Sequence, residues 1–174
     1  QASTAKGKGT TRLVARLLDA KGKAVAQKNL TTNTQGAASA QFDVANAKVW
    51  SPEQPHLYTL EINLYQGFKL VDRLRQRVGI RTIAVSKEHG FQLNGVSRKF
   101  KGVCLHHDLG PLGAAVNKAA IIRQIRLMKD MGVDAIRTSH NMPSQMQMEV
   151  CDSMGMMVMA ESFDAWKEPK VKNG

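Results

Sequence analysis

The chain has 174 residues, 43% of them apolar and 22% charged, with two cysteines and a formal charge of +11. That length suits one ordinary domain or two small ones, and the apolar share excludes a disordered chain. No apolar run approaches the roughly 20 residues of a membrane helix, so no membrane partner is expected, and two cysteines do not make a disulfide framework.

Gln1 opens a polar stretch rich in Gly, Lys and Thr, with neither an initiator Met nor a signal-type apolar run. The chain therefore reads as an excised piece, and its compartment is not legible from this end. Thr11 to Leu18 is strand-like, Asp19 to Lys23 is a Gly-containing turn, and Ala24-Val25-Ala26 returns as the second arm of a hairpin. Ala38 to Val44 and Leu57 to Leu64 alternate at period two, and a turn around Gln66-Gly67 leads into Lys69 to Leu74. Short strands at near-regular spacing predict a β-sandwich over residues 10–82. Ile83-Ala84-Val85 and Gly90 to Gly95 predict a connecting hairpin within 83–98, with Asn94-Gly95 as a strong turn signal.

After Lys99 the period changes. Phe100 to Leu105 is a strand. Asn117 suits the N-cap of a helix running to Met131, with Ile121, Ile125 and Met128 on one face and Gly132 just past its end. Val133 to Arg137 is the next strand. Ser144-Gln145-Met146-Gln147 has the capping-box pattern and opens a helix that stops at Gly155. Met156 to Glu161 is the third strand. The order β-α-β-α-β with short loops predicts parallel strands and right-handed crossovers. Cys104, Cys151 and the many methionines read as core filler.

The positive charge is uneven, with 14 Lys and Arg against 6 Asp and Glu in residues 1–90. The basic residues largely alternate with apolar ones, as in Arg73-Leu74-Arg75-Gln76-Arg77-Val78, which is the pattern of one solvated sheet face. No aromatic-plus-basic stacking motif accompanies them, so nucleic acid is not an expected partner.

In parallel α/β folds function gathers at the C-terminal ends of the strands. The three ends here are polar: His106, His107 and Asp108; Arg137, Thr138, Ser139, His140 and Asn141; Glu161, Ser162, Asp164 and Trp166. A metal site lacks a ligand spacing such as His-x-x-x-His. A Ser-His-Asp triad lacks the Gly-x-Ser-x-Gly elbow that exposes a nucleophile. A carboxylate pair of Glu161 and Asp108 conflicts with the neighbouring Arg137, since an ion pair would keep Glu161 ionised and make it a poor general acid. Purely structural roles stay open: Arg137 and Glu161 tying two strand ends, His106 bonding a loop backbone.

At these residues the sequence resembles family 2 glycoside hydrolases, the β-galactosidase, β-glucuronidase and β-mannosidase group. Val49 to Tyr58 is similar to the stretch entering a late strand of that family's immunoglobulin-like sandwich. Val78-Gly79-Ile80-Arg81-Thr82 with Phe91 to Gly95 is similar to its sandwich-to-barrel junction, Lys101 to Asp108 to the end of barrel strand one, and Ala135 to His140 to the signature ending strand two. Among members it looks most like bacterial β-galactosidases. The resemblance implies an immunoglobulin-like β-sandwich at 1–82, a connecting hairpin at 83–98, and the first three βα steps of a (β/α)8 TIM barrel at 99–174. It implies a substrate-binding set of His106, Arg137, His140, Asn141 and Glu161, with His107, Asp108, Asp164 and Trp166 as further candidates, and an oligosaccharide or β-glycoside as the substrate.

The family's two catalytic glutamates end strands four and seven, so none is expected here, and the isolated piece is expected to be inactive. Metal-dependent members carry Glu-x-His shortly after strand three. Those positions read Ala165 and Lys167, so no cofactor, Mg²⁺ included, is expected. The signature's Tyr-Pro after the histidine reads Asn141-Met142-Pro143. Three barrel strands leave an open edge and uncovered apolar faces, which predicts exposed apolar surface on 118–160 or self-association into a homo-oligomer. The alternative reading is a non-catalytic carbohydrate- or protein-binding sandwich module.

Overall fold

The computed structural model describes residues 11–31 and 37–164. The chain divides into two units, one formed by residues 1–48 with 56–80 and the other by residues 49–55 with 81–174.

The first unit is an antiparallel sheet of β1 (Thr11–Leu18), β2 (Ala24–Leu30), β3 (Tyr58–Gln66) and β4 (Lys69–Val78), in the order β2-β1-β3-β4. Asp19 closes the first turn, its Oδ1 accepting from the backbone N–H of Lys21 and of Lys23 at 2.9 Å each. One face carries the buried Leu13, Ala15 and Leu17, which sit opposite Leu64, Ile62 and Leu60 of β3 in register. The other face departs from the solvated pattern expected of it, because Glu61 and Asn63 are buried there beneath Arg16, Arg73 and Arg75.

The strand expected over Ala38–Val44 does not form. Period two fits a pleat, but a strand also needs a neighbour for its N–H and C=O groups. The sheet draws its ladders from β1 to β4, and no second sheet forms among the described residues of this unit.

The second unit opens with β5 (Ile83–Ser86), β6 (Gly90–Leu93) and β7 (Val96–Ser97). Asn94 and Gly95, at φ 53° and 78°, make the turn between the last two. Then come β8 (Gly102–Leu105), α1 (Lys118–Asp130), β9 (Ala135–Thr138), α2 (Gln145–Met154) and β10 (Met157–Ala160). The last three strands form a parallel sheet in the order β10-β9-β8. The helices begin where the capping signals place them: Asn117 accepts from Ala120 N–H at 3.0 Å and Ser144 from Gln147 N–H at 3.1 Å. Ile121, Ile125 and Met128 of α1 meet Val150 and Cys151 of α2, Ile136 and Met156 in one core. Each such side chain withdrawn from water stabilises the fold by about 1.5–3 kcal/mol.

The segment from Val49 to Pro55, expected to lead into the sandwich, packs within this second unit. Trp50 is buried, and its Nε1–H donates to the Asp152 carbonyl in the last turn of α2 at 2.8 Å. The Trp50 carbonyl accepts from Asn94 Nδ2 at 3.0 Å, and Arg81 stands over the indole 5.3 Å from the ring centre. Lys129 Nζ donates to the Pro52 carbonyl at 3.1 Å, while Arg98 pairs with both Glu53 and Asp134.

The methionines divide. Met128 and Met156 fill the core, whereas Met131, Met142 and Met159 are exposed, so the expectation of filler holds only in part. With Leu127 these exposed side chains give the apolar surface expected on 118–160. An open groove of about 670 Å³ runs along the same unit, lined among others by Trp50, Phe91, Phe100, Val103, Ile136 and Val158.

Candidate functional site

Parallel pairing places the C-terminal ends of β8, β9 and β10 side by side, with Leu105 opposite Thr138 and Thr138 opposite Ala160. Two bonds continue the registration past the strands. Ser139 N–H donates to the Leu105 carbonyl at 2.8 Å, and Glu161 N–H to Thr138 Oγ1 at 3.0 Å. The peptide bond between Ser139 and His140 is cis.

Glu161 is the centre of the cluster. Arg137 Nε donates to its Oε1, and His140 Nδ1 lies 2.9 Å from its Oε2, where the carboxylate accepts. His140 first, and Arg137 with it, hold the Glu161 carboxyl below the usual carboxylate range. Glu161 is therefore ionised at neutral pH and unsuited to general-acid work, as the neighbouring arginine implied. Asp164 Oδ1 lies 3.7 Å from His140 Nε2 on the far side of the ring. His106 meets His140 edge-on, with centroids 5.8 Å apart and planes at 81°.

Cys104 corrects the core-filler expectation, because it is exposed. It is the register partner of Arg137, whose Nη1 lies 3.7 Å from its sulfur. Ser139, then Arg137, draw the thiol below its ordinary pKa. A signal was available: Cys104 stands two residues before His106, and side chains two apart on a strand share a face.

Not all the expected residues join this cluster. Asp108 is turned into its own loop, Oδ1 accepting from Gly110 N–H at 2.7 Å and its carbonyl from Gln124 Nε2 at 3.3 Å. His107, at φ 49°, lines with Asp108 and Asn141 a separate small cavity of about 40 Å³ beside Ile121 and Ser144. Thus His106, Arg137, His140, Glu161 and Asp164 come together, while His107, Asp108 and Asn141 face another space. Trp166 lies outside the described residues, as do Ala165 and Lys167. Among the described residues no three His, Cys, Asp or Glu side chains converge as metal ligands.

The cluster offers fixed donors and acceptors in one place: a guanidinium with N–H groups left over, an imidazole and an ionised carboxylate. Such a set suits a polyhydroxylated ligand, whose hydroxyls both donate and accept.

Comparison with known families matches residues 1–81 to "Glycosyl hydrolases family 2" and residues 83–165 to "Glycosyl hydrolases family 2, TIM barrel domain". A β-galactosidase of Bacteroides ovatus is 42% identical over 162 residues, covering 88% of this chain and 19% of that protein. The human β-glucuronidase is 35% identical over 164 residues, covering 90% and 24%. A solved glycosyl hydrolase family 2 structure from Bacteroides cellulosilyticus superposes with a TM-score of 0.87 at 38% identity, over 94% of this chain and 22% of that one. The chain spans about a fifth of the length of these relatives. The family's sandwich domain and the start of its TIM-barrel domain follow one another along these residues, and the chain belongs to glycoside hydrolase family 2.

Proposed function

We propose that this chain is part of a retaining exo-β-glycosidase, a β-galactosidase, in which the ends of β8, β9 and β10 position the terminal sugar. The observation that carries this reading is the Arg137–Glu161–His140 cluster at the C-terminal ends of three parallel strands, in a chain of this family. On this reading β8-α1-β9-α2-β10 is the first three βα steps of a (β/α)8 barrel, with domain boundaries at 82/83 and 98/99. Arg137 and His140 face the sugar, His106 lies beside them, and Glu161 orients both while accepting from a hydroxyl. In this cluster the charge of Arg137 is balanced by that of Glu161, one to one, so its remaining N–H groups face the ligand without an excess positive charge set aside for a uronate carboxylate, which favours a neutral sugar. No metal is assigned a role.

A retaining mechanism needs two carboxyl groups about 5–5.5 Å apart, one of them protonated in the resting state. Held ionised, Glu161 is unsuited to be the acid, and with Arg137 on Oε1 and His140 on Oε2 neither oxygen is left free for nucleophilic attack, so the catalytic glutamates are assigned to chain outside these 174 residues. The test uses the 174-residue chain with 4-nitrophenyl β-galactoside and 4-nitrophenyl β-glucuronide. Saturation-transfer NMR is expected to show the galactoside bound, Arg137→Gln to abolish that signal, and neither substrate to be turned over. Tighter binding of the glucuronide would overturn the galactosidase reading, and steady turnover by the chain alone would overturn the assignment of the carboxylates.

A further inference from the structure

We infer that the arginine-bearing face of the β2-β1-β3-β4 sheet is a docking surface for an anionic glycan, whose sulfate or carboxylate groups are held by Arg16, Arg73 and Arg75. The inference rests on how these side chains are held. Glu61 is 2% exposed, yet three guanidiniums converge on its carboxylate: Arg75 Nη2 at 2.6 Å, Arg16 Nη1 at 3.8 Å and Arg73 Nε at 3.8 Å. Neighbouring amides fix the same groups, with Arg73 Nε donating to Asn63 Oδ1 at 2.8 Å and Arg16 Nε to Gln27 Oε1 at 2.9 Å. Asn63 Nδ2 in turn donates to Glu61 Oε1 at 2.9 Å. One negative charge thus lies beneath three positive ones.

The arginine side chains themselves stay 44%, 44% and 58% exposed. Each guanidinium has five N–H donors, and those not spent on Glu61 or an amide remain for a ligand. Because the buried carboxylate already orients them, little side-chain freedom is left to lose on binding. A guanidinium fork matches the flat geometry of a carboxylate or the edge of a sulfate. Arg12, standing over Tyr65 at 4.5 Å, and Arg77 lie on the same face by strand alternation. Along β4 the arginines recur every second residue, about 6.8 Å apart, and those of β1 stand two strands away across β3, about 9.6 Å. That is a grid for repeated charges on an extended chain.

Charges on an outer strand can serve merely to discourage edge-to-edge pairing. Solvated lysines would do that without being anchored to a buried carboxylate. Nucleic acid fits less well. A single strand needs aromatic platforms, and the tyrosine on this face is covered by Arg12. A duplex is read by an element that enters a groove, which a flat sheet face does not supply.

The test measures binding of the 174-residue chain to a heparin hexasaccharide and to a galacturonate hexasaccharide in 150 mM NaCl, which separates sulfate from carboxylate recognition. Binding of at least one is expected, with amide shifts concentrated in residues 11–18, 58–66 and 69–78. Arg73→Gln with Arg75→Gln should weaken it about tenfold, two exposed charge pairs together amounting to about that factor. Lys99→Gln with Lys101→Gln removes the same charge from the other unit and should leave affinity within about twofold. Arg73→Lys with Arg75→Lys keeps the charge and loses the forks, and should weaken binding about threefold. This pair decides the matter if circular dichroism shows the glutamine pair unfolded. Equal weakening by the glutamine pair and the Lys99/Lys101 pair, unchanged affinity in the Arg-to-Lys pair, binding of neither glycan, or a DNA duplex held as tightly through the same residues would each overturn the inference.

Discussion

Trp50→Phe tests whether the Val49–Pro55 segment is welded to the helix pair of the second unit. Trp50 is 3% exposed, and its indole N–H satisfies the carbonyl of Asp152 at 2.8 Å. Asp152 lies in the last turn of α2, where carbonyls have no partner within the helix. Phenylalanine keeps an aromatic ring at the site but removes the donor, leaving a partly buried acceptor unmet at a cost of about 1–3 kcal/mol. The smaller ring also opens a void, adding about 0.5–1 kcal/mol. The expected loss is about 2–3 kcal/mol, a factor of about 30–150 in the folding equilibrium. Urea unfolding followed by circular dichroism at the helical band measures it, because α1 and α2, the α-helices among the described residues, belong to this unit. Trp50→Ala should cost more, about 3–5 kcal/mol. A loss below about 0.5 kcal/mol for Trp50→Phe would refute the reasoning, since that is the range of ordinary surface changes. So would a solvent-exposed emission from Trp50 in a Trp166→Phe background.

Gly155→Ala should destabilise the same unit by more than about 1 kcal/mol in urea unfolding. Gly155 sits at φ 71°, and a Cβ there would meet the backbone of Pro52, 2.9 Å from its carbonyl carbon. Thiol labelling with a disulfide reagent at neutral pH should modify Cys104 readily and spare Cys151 until the chain unfolds, because Cys151 is buried and its thiol is pushed up to about 12 by burial. Acid should weaken the fold through two carboxylates. Arg98 brings Glu53 down to about 2 from an ordinary 4.5, and His140 with Arg137 lower Glu161 in the same direction. A depressed folded pKa means stability that is present above pH 4.5 and is lost as pH falls toward 2 for Glu53. Urea midpoints measured at pH 5 and pH 2.5 should therefore differ less in Glu53→Gln than in the parent chain, and an unchanged difference would count against the Arg98 pairing.

Local signals were the most legible part of the chain. Asn117 and Ser144 announced both helix starts, Gly132 and Gly155 their ends, and the residues facing the core of α1 followed from the 3.6-residue period. Each of these is a property of a few consecutive residues and their own backbone. Ala38–Val44 had the period of a strand but finds no pairing strand among the described residues, and pairing is something no local pattern reports. The polar face of the first sheet read as solvated from its alternation. Burial of Glu61 depends on side chains from β1 and β4 closing over β3, and that arrangement exists only once the strands are in register. At the candidate site the sequence identified His106, Arg137, His140 and Glu161, passed over Cys104, and grouped with them Asp108 and Asn141, which the loop and the second cavity claim.

By itself, the sequence determined the order of strands and helices after Lys99, the two halves with different periods, the polar strand ends and the family motifs, because these rest on residue type and spacing along the chain. Only the tertiary structure decided which polar groups meet. Parallel pairing sets Arg137 beside both Cys104 and Glu161, which lie 33 and 24 residues away, and His140 reaches the same carboxylate across 21. Trp50 finds Asp152 across 102 residues for the same reason: a buried donor and a helix's orphan carbonyl satisfy each other only when packing brings them together.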